Sequence, residues 1–190
     1  MANKVFYGIE NCYYALATLA SDNSATYGAP KALPGARGIT LDPEGELYKF
    51  FADNMVYYEN TSNNGYSGSL ELAMITDEFR EDILGEEKNA TKGLRWEVQD
   101  VEPKHFALIF EFRGDVNRIR HVLYNCTASR PSIAGSTKEE TIEPGSQTID
   151  ISAASIYVPE LLKNAVKGRA DEGSTSYNAF FTSVQIPTTT

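Results

Sequence analysis

The stretch Asn63-Asn64-Gly65-Tyr66-Ser67-Gly68-Ser69-Leu70-Glu71-Leu72-Ala73-Met74 decides the fold class. Tyr66, Leu70, Leu72 and Met74 alternate with Ser67, Ser69, Glu71 and Ala73, and Gly68 alone breaks the apolar row. A period of two over this length predicts a strand with one buried and one polar face. Asn64-Gly65 ahead of it is the strongest hairpin signal in the chain, because both residue types accept the positive φ of a type I′ turn. Residues 105–113 repeat the pattern with Phe106, Leu108, Phe110 and Phe112 on one face. Gly114-Asp115 then turns the chain toward an antiparallel partner at 118–128.

Outward from these two anchors, short strands and turn chemistry continue. Residues 5–18 predict a strand, or two, interrupted near Glu10-Asn11. Residues 21–38, rich in Ser, Gly, Ala and Pro, predict a long loop or arm, and loops beyond about 12–15 residues are usually functional or disordered. Asp42-Pro43-Glu44-Gly45 carries a turn signature, with strands expected at 46–52 and 55–60. Thr76 is placed to cap a short helix with Asp77 and Glu78 in its first turn, Phe79, Ile83 and Leu84 on one face, and Gly85 as its stop. A polar loop follows at 86–92, a strand with Trp96 at 94–101, a polar stretch at 130–145 and a strand at 148–157. Residues 158–167 fit either a short amphipathic helix or β structure, and 180–186 is the last strand candidate. The whole predicts a mainly β chain, an antiparallel β-sandwich or partial barrel with one short α-helix. It reads as one domain over 1–190, with the arm at about 21–38 and a C-terminal arm or extension at about 158–190.

Hydrophobic residues at 42% and charged residues at 23% suit a chain that folds around a core without metal or disulfide. Seventeen Lys+Arg against 26 Asp+Glu give a net charge of −9. That balance argues against a surface that grips nucleic acid, since phosphate binding uses Lys and Arg to release counterions. It suits a surface past which DNA slides. Cys12 and Cys126 lack metal spacing and read as small core residues. No apolar run approaches the roughly 18–20 residues of a membrane span, and residues 1–11 carry no leader-like apolar run.

Candidate chemistry is sparse. His105 and His121 lie on adjacent predicted strands and, with Glu111 or Asp115, form a conceivable metal set, but the spacing is unspecific and a hydrogen-bonded role in a sheet is favoured. Cys126 lies five residues from His121, and residues five apart on a strand face opposite ways, so the two cannot meet as a thiol–imidazole pair without a bulge. Asp77, Glu78, Glu81 and Asp82 form a carboxylate cluster that helix capping and solvation explain. Arg113, Arg118 and Arg120 lie near Phe106, Phe110, Phe112 and Tyr124, but the regular alternation of the phenylalanines points to core and not to a base-stacking platform. Nucleophile-elbow, phosphate-loop and zinc-protease motifs are absent. The expectation is a structural protein, not an enzyme, with no cofactor and no metal.

Several strings in order resemble the major tail protein family of long, non-contractile tails of phages infecting Gram-positive bacteria. They are Tyr27-Gly28-Ala29-Pro30-Lys31 with Leu33-Pro34-Gly35-Ala36, Leu41-Asp42-Pro43-Glu44-Gly45 through Phe50-Phe51-Ala52-Asp53-Asn54, and Asn63 through Ile75. His121 through Pro131, Ser136 through Thr141, and Phe180-Phe181 with Ser183-Val184 complete the set. The resemblance implies a subunit that forms hexameric rings stacked into a tube on a tape-measure protein, with an inner barrel completed by oligomerisation. It implies tail initiator or baseplate and tail terminator proteins as further partners, phage DNA passing without specific binding, and no membrane. The protein would belong to the virion tail and assemble in the host bacterial cytoplasm. Within that picture the hairpin 46–75 is expected in the inner barrel, with Ser67, Ser69 and Glu71 facing the lumen. Tyr27, Pro30, Leu33, Asn63, Asn64 and Gly65 are the expected interface or loop residues. Compared with larger members of that family, the residues of this chain are expected to hold no added immunoglobulin-like C-terminal domain. Two alternatives stand beside this one: a tube subunit of a phage-derived bacteriocin or prophage remnant, and a carbohydrate-binding β-sandwich using Tyr57, Tyr58 and Asn60.

Overall fold

The computed structural model describes residues 7–114, 117–133, 135, 137 and 145–189. Seven strands come first: β1 (Ile9–Leu19), β2 (Ala25–Tyr27), β3 (Lys31–Ala32), β4 (Ala36–Glu44), β5 (Leu47–Ala52), β6 (Met55–Thr61) and β7 (Gly65–Leu72). A helical segment follows, α1 (Asp77–Phe79), continuing as a wider turn over Arg80–Leu84. Then come β8 (Glu87–Lys88), β9 (Arg95–Trp96), β10 (Phe106–Phe112), β11 (Arg120–Ala128) and β12 (Gln147–Ala154). The last elements are β13 (Ile156–Val158), β14 (Lys163–Ala165), β15 (Lys167–Ala170) and α2 (Thr175–Ala179).

One antiparallel sheet runs in the order β2-β1-β10-β11-β12-β7-β4, with β15 added to β11 and β3 to β1. It curls, bringing β1 toward β4, but does not close into a barrel. Its inner strand β10 is buried on both faces. Phe106, Leu108 and Phe110 enter a first core with Tyr14, Leu70, Leu72, Ile149 and Ile151. Ala107 and Ile109 enter a second core with Tyr124, Ile156, Val158 and Phe180. Each fully buried Leu, Ile or Phe contributes roughly 1.5–3 kcal/mol of transfer free energy, so this strand ties both layers together.

The helix forms where its cap predicts. Thr76 Oγ1 accepts from the Phe79 amide at 3.3 Å, and Gly85 ends the segment at φ 74°. Too short to persist alone, it is held by Phe79, which stands edge-on to Tyr14 and Phe106 at centroid distances of 5.0 and 5.5 Å. The interruption expected near Glu10-Asn11 is a β-bulge: Asn11 has φ 49°, and the register with β10 shifts between Glu10 and Tyr13.

Several expectations are overturned. Asn64-Gly65 joins no hairpin, because β6 pairs with β5 while β7 pairs with β4 and β12. The positive-φ pair is Asp53-Asn54, at 50° and 63°, and it closes β5 onto β6. Asp42-Pro43-Glu44 is strand and not turn; proline is tolerated because β4 is an edge. Of the two readings open for residues 158–167, the β one holds, since they complete the β13–β14 hairpin and reach the start of β15. Residues 180–186 are the end of a helical turn and an extended segment packed on the second core, not a strand. The C-terminal region is likewise no free arm, since β15 pairs with β11 and Tyr177 and Phe180 are buried. Within 21–38 the chain forms β2, β3 and the start of β4. The strand expected over 94–101 shrinks to β9, paired with β8 where a loop was expected. Asp115 and most of 136–144 lie outside the described residues.

Gly68 shows how tightly β4 and β7 approach. A Cβ there would overlap the Thr40 carbonyl oxygen, a backbone atom that cannot swing away. Gly68→Ala is expected to cost about 3 kcal/mol or more and to lower the thermal midpoint by roughly 6–12 °C. Ser69→Ala, one residue along on the open face, should leave it within about 0.5 kcal/mol. Circular-dichroism melts of the two variants check the difference.

Candidate assembly surface

Strands β5 and β6 leave the sheet as a two-stranded ribbon, pairing only with each other. At its root Asn64 N–H donates to the Glu44 carbonyl at 2.8 Å, and Asn63 Oδ1 accepts from the Gly65 amide at 3.2 Å. These bonds pinch the chain where the ribbon begins. Gly65, at φ 107°, lies so close to the Ala153 carbonyl that a side chain would collide with it. Along the ribbon Phe50 faces Tyr58, Phe51 faces Val56 and Ala52 faces Met55, with a bulge between the first two pairs. Lys49 and Glu59 form an ion pair at 3.6 Å.

Side chains on a strand alternate between faces, so Tyr48 and Phe50 lie on one side and Leu47 and Phe51 on the other. Neither side is polar. Leu47, Tyr48, Phe50, Phe51, Met55, Val56, Tyr57 and Tyr58 are all exposed, from 45% at Val56 to 73% at Tyr57. Isolated two-stranded hairpins are marginally stable in water, and contiguous apolar surface on this scale marks an interaction site.

The second surface is polar. Sheet registers align Thr40, Ser69 and Asp150 in one row and Asp42, Ser67 and Ser152 in the next. Together they floor a shallow trough of about 720 Å³ with no basic residue among its lining. Ser67 and Ser69 therefore sit on the polar face that alternation assigns them, opposite the buried Leu70 and Leu72. Glu71 lies beside this trough, where its carboxylate accepts from Arg37 at 2.9 Å and from the Ser146 hydroxyl.

The expected interface residues separate. Asn63 and Asn64 form the short loop at the ribbon root, and Gly65 opens β7. Leu33 lies in the loop between β3 and β4 but is fully buried in its own core, so it presents no surface. Tyr27 donates its hydroxyl to the Tyr124 carbonyl at 2.9 Å, and Pro30 is half-buried. Of the hairpin 46–75, only β7 lies in the main sheet; the ribbon stands apart. Its exposure has a sequence signal that strand patterning overlooked: Phe50-Phe51 and Tyr57-Tyr58 are adjacent pairs, which place aromatics on both faces.

The candidate chemical groups take structural roles. His105 donates Nδ1–H to Asn125 Oδ1 at 2.7 Å, whereas His121 stacks on Phe110, five residues along the facing strand. Among the described residues no three of His, Cys, Asp and Glu cluster to hold a metal. Burial pushes the Cys12 thiol up to about 12 and the Cys126 thiol up as well, so both are poor nucleophiles. Arg120 pairs with Glu111 at 3.0 Å and lies 3.7 Å over the Tyr177 ring, while Arg118 reaches Glu172 at 3.6 Å. Asp82 accepts from Tyr14 Oη at 2.9 Å and from Lys31 Nζ at 2.6 Å, tying the helical segment to β1 and β3. No helix of the described residues is long and apolar enough to cross a membrane.

No family model matches the chain, and a search of the curated proteins finds no match.

Burial works to raise the Asp82 carboxyl, but hydrogen bonds from Lys31 and Tyr14 outweigh it and hold the group below the ordinary carboxylate value. A lowered folded pKa means stability that is present above the ordinary value of about 3.9 and lost as pH falls through the lower folded one. Asp82→Asn should lower the melting temperature at neutral pH. The gap between wild type and variant should narrow as melts are taken into acid, and a gap independent of pH contradicts the assignment.

Proposed function

We propose that this chain is a structural, self-assembling tube subunit: the major tail tube protein of a long-tailed phage of Gram-positive bacteria. Copies form hexameric rings, the rings stack on a tape-measure protein, and the lumen conducts DNA. The observation that carries this reading is the ribbon β5–β6, whose eight large apolar side chains stay exposed among the described residues. A soluble chain that keeps such a surface has a partner for it.

Two further features support the same reading. Along its outer side β4 has no strand partner among the described residues, and an open edge is a template for another chain. The trough of hydroxyls with Asp42 and Asp150 offers phosphates no cation to hold, which suits a wall along which DNA moves. Ser67 and Ser69 are then lumen residues, with Glu71 at their border. The family assignment, the ring size and the partner proteins rest on the sequence strings from Tyr27 to Val184. A tube subunit of a phage-derived bacteriocin or prophage remnant would assemble in the same way.

Negative-stain microscopy of the purified chain tests the proposal. Rings or tubes with a central lumen are expected, and a strict monomer at the highest soluble concentration speaks against it. The paired substitution Phe51→Ser with Tyr58→Ser should abolish assembly while leaving the fold's stability nearly unchanged, because both side chains lie outside the packed core.

A further inference from the structure

The sheet forks. Residues Asn125–Ala128 of β11 pair with β12, but Arg120–Leu123 pair with β15. Because β7 and β4 follow β12, a wedge opens between them and the β11–β15 side. It forms a groove of about 400 Å³ lined by Ile39, Leu41, Tyr66, Phe112, His121 and Lys167. The walls are apolar, and Lys167 supplies a cation at the rim, its Nζ 4.6 Å from the Tyr66 ring centroid. Tyr66 directly follows Gly65, so the groove borders the root of the ribbon.

We propose that this groove receives the β5–β6 ribbon of a second copy, making the contact between copies head-to-tail. The inference rests on the self-assembly reading and names the two surfaces that meet. A ribbon cannot fill the groove of its own chain. Its strands of six and seven residues extend roughly 20 Å from the root that the groove borders, and its side chains remain exposed.

Chemistry matches across the contact. The ribbon carries Lys49, Asp53 and Glu59, a net charge of −1, against the cation of Lys167. Five aromatic side chains, each burying 150–250 Å² when covered and here about half exposed or more, offer on the order of 500 Å². That falls short of the roughly 800 Å² per partner of a stable interface. A single contact of this size holds two copies weakly, and each chain is secured by making it twice, once as donor and once as acceptor, in a closed or repeating assembly. Such a contact closes into a ring or runs on as a helix.

Disulfide trapping tests the proposal, since the native thiols are buried. Ala52→Cys at the turn end of the ribbon, which spares its large apolar side chains, and Leu41→Cys in the groove are placed in one chain, assembled and oxidised. A reducible ladder of multimers beyond the dimer is expected, and neither single substitution alone should produce it. Mixing the two single variants should give one mixed dimer. Rings or tubes that form without the ladder overturn the groove assignment and leave self-assembly standing. Trapped species that stop at a closed dimer overturn the head-to-tail geometry. A chain that stays monomeric overturns both, as does a ribbon that instead becomes protected by phosphatidylcholine–phosphatidylglycerol vesicles.

Discussion

Everything in this molecule hangs on a strand that has no solvent face. β10 gives alternate side chains to two cores, so neither layer can shift without moving the other. The Phe106–Phe79–Tyr14 aromatic cluster anchors the helical segment on one side. On the other, Ile109 and Val122 support the C-terminal hairpin, α2 and the extended segment after it. Interiors this closely packed transmit strain instead of absorbing it. The rigid centre is what lets the periphery open into a fork, an unpaired edge and a ribbon.

The ribbon has its origin in the partners of β7. Its close approach to β4, possible only because Gly68 has no side chain, fixes where those two strands run. Gly65 then brings the chain against Ala153, so β7 also registers with β12. Whatever lies between β4 and β7 in sequence must therefore leave the sheet and return at one point. Residues 47–61 do so, with Asn63 and Asn64 closing the neck.

Much of this was legible in the residues, and the failures have physical causes. Period-two alternation located β7, β10 and β12, the turn after β10 placed β11, and strands expected at 46–52 and 55–60 differ from the observed ones by a single residue at one end each. The capped helix was readable from Thr76, Phe79 and Gly85. Asn64-Gly65 misled because a glycine in that position signals a turn and a close backbone contact equally well, and here the contact uses it. Asp53-Asn54 has the same tolerance for positive φ and makes the true turn. Residues 180–186 are apolar because they cover a core, which needs no strand pairing. Ser67 and Ser69 lie on the polar face that alternation assigned. The wedge beneath Tyr66 was not readable at all, since it arises from β11 changing partners midway, a tertiary event that leaves no periodicity.

An exposed ribbon of this kind is a hazard for a free chain, and the sequence carries counterweights. Pro43 interrupts the N–H row of the open edge, and the Lys49–Glu59 pair places charge within the apolar ribbon. A net charge of −9 adds repulsion between copies. These opposing forces differ in range. Repulsion acts out to a Debye length of roughly 8 Å at physiological salt, while apolar burial acts only at contact and only where shapes fit. If copies associate as proposed, those meeting at random are kept apart, and the apolar term prevails only once a ribbon is aligned with a receiving surface. Assembly governed in this way favours addition to an existing, correctly oriented end over the birth of new aggregates. A subunit that must remain dispersed until an ordered polymer starts to grow requires that kinetic property.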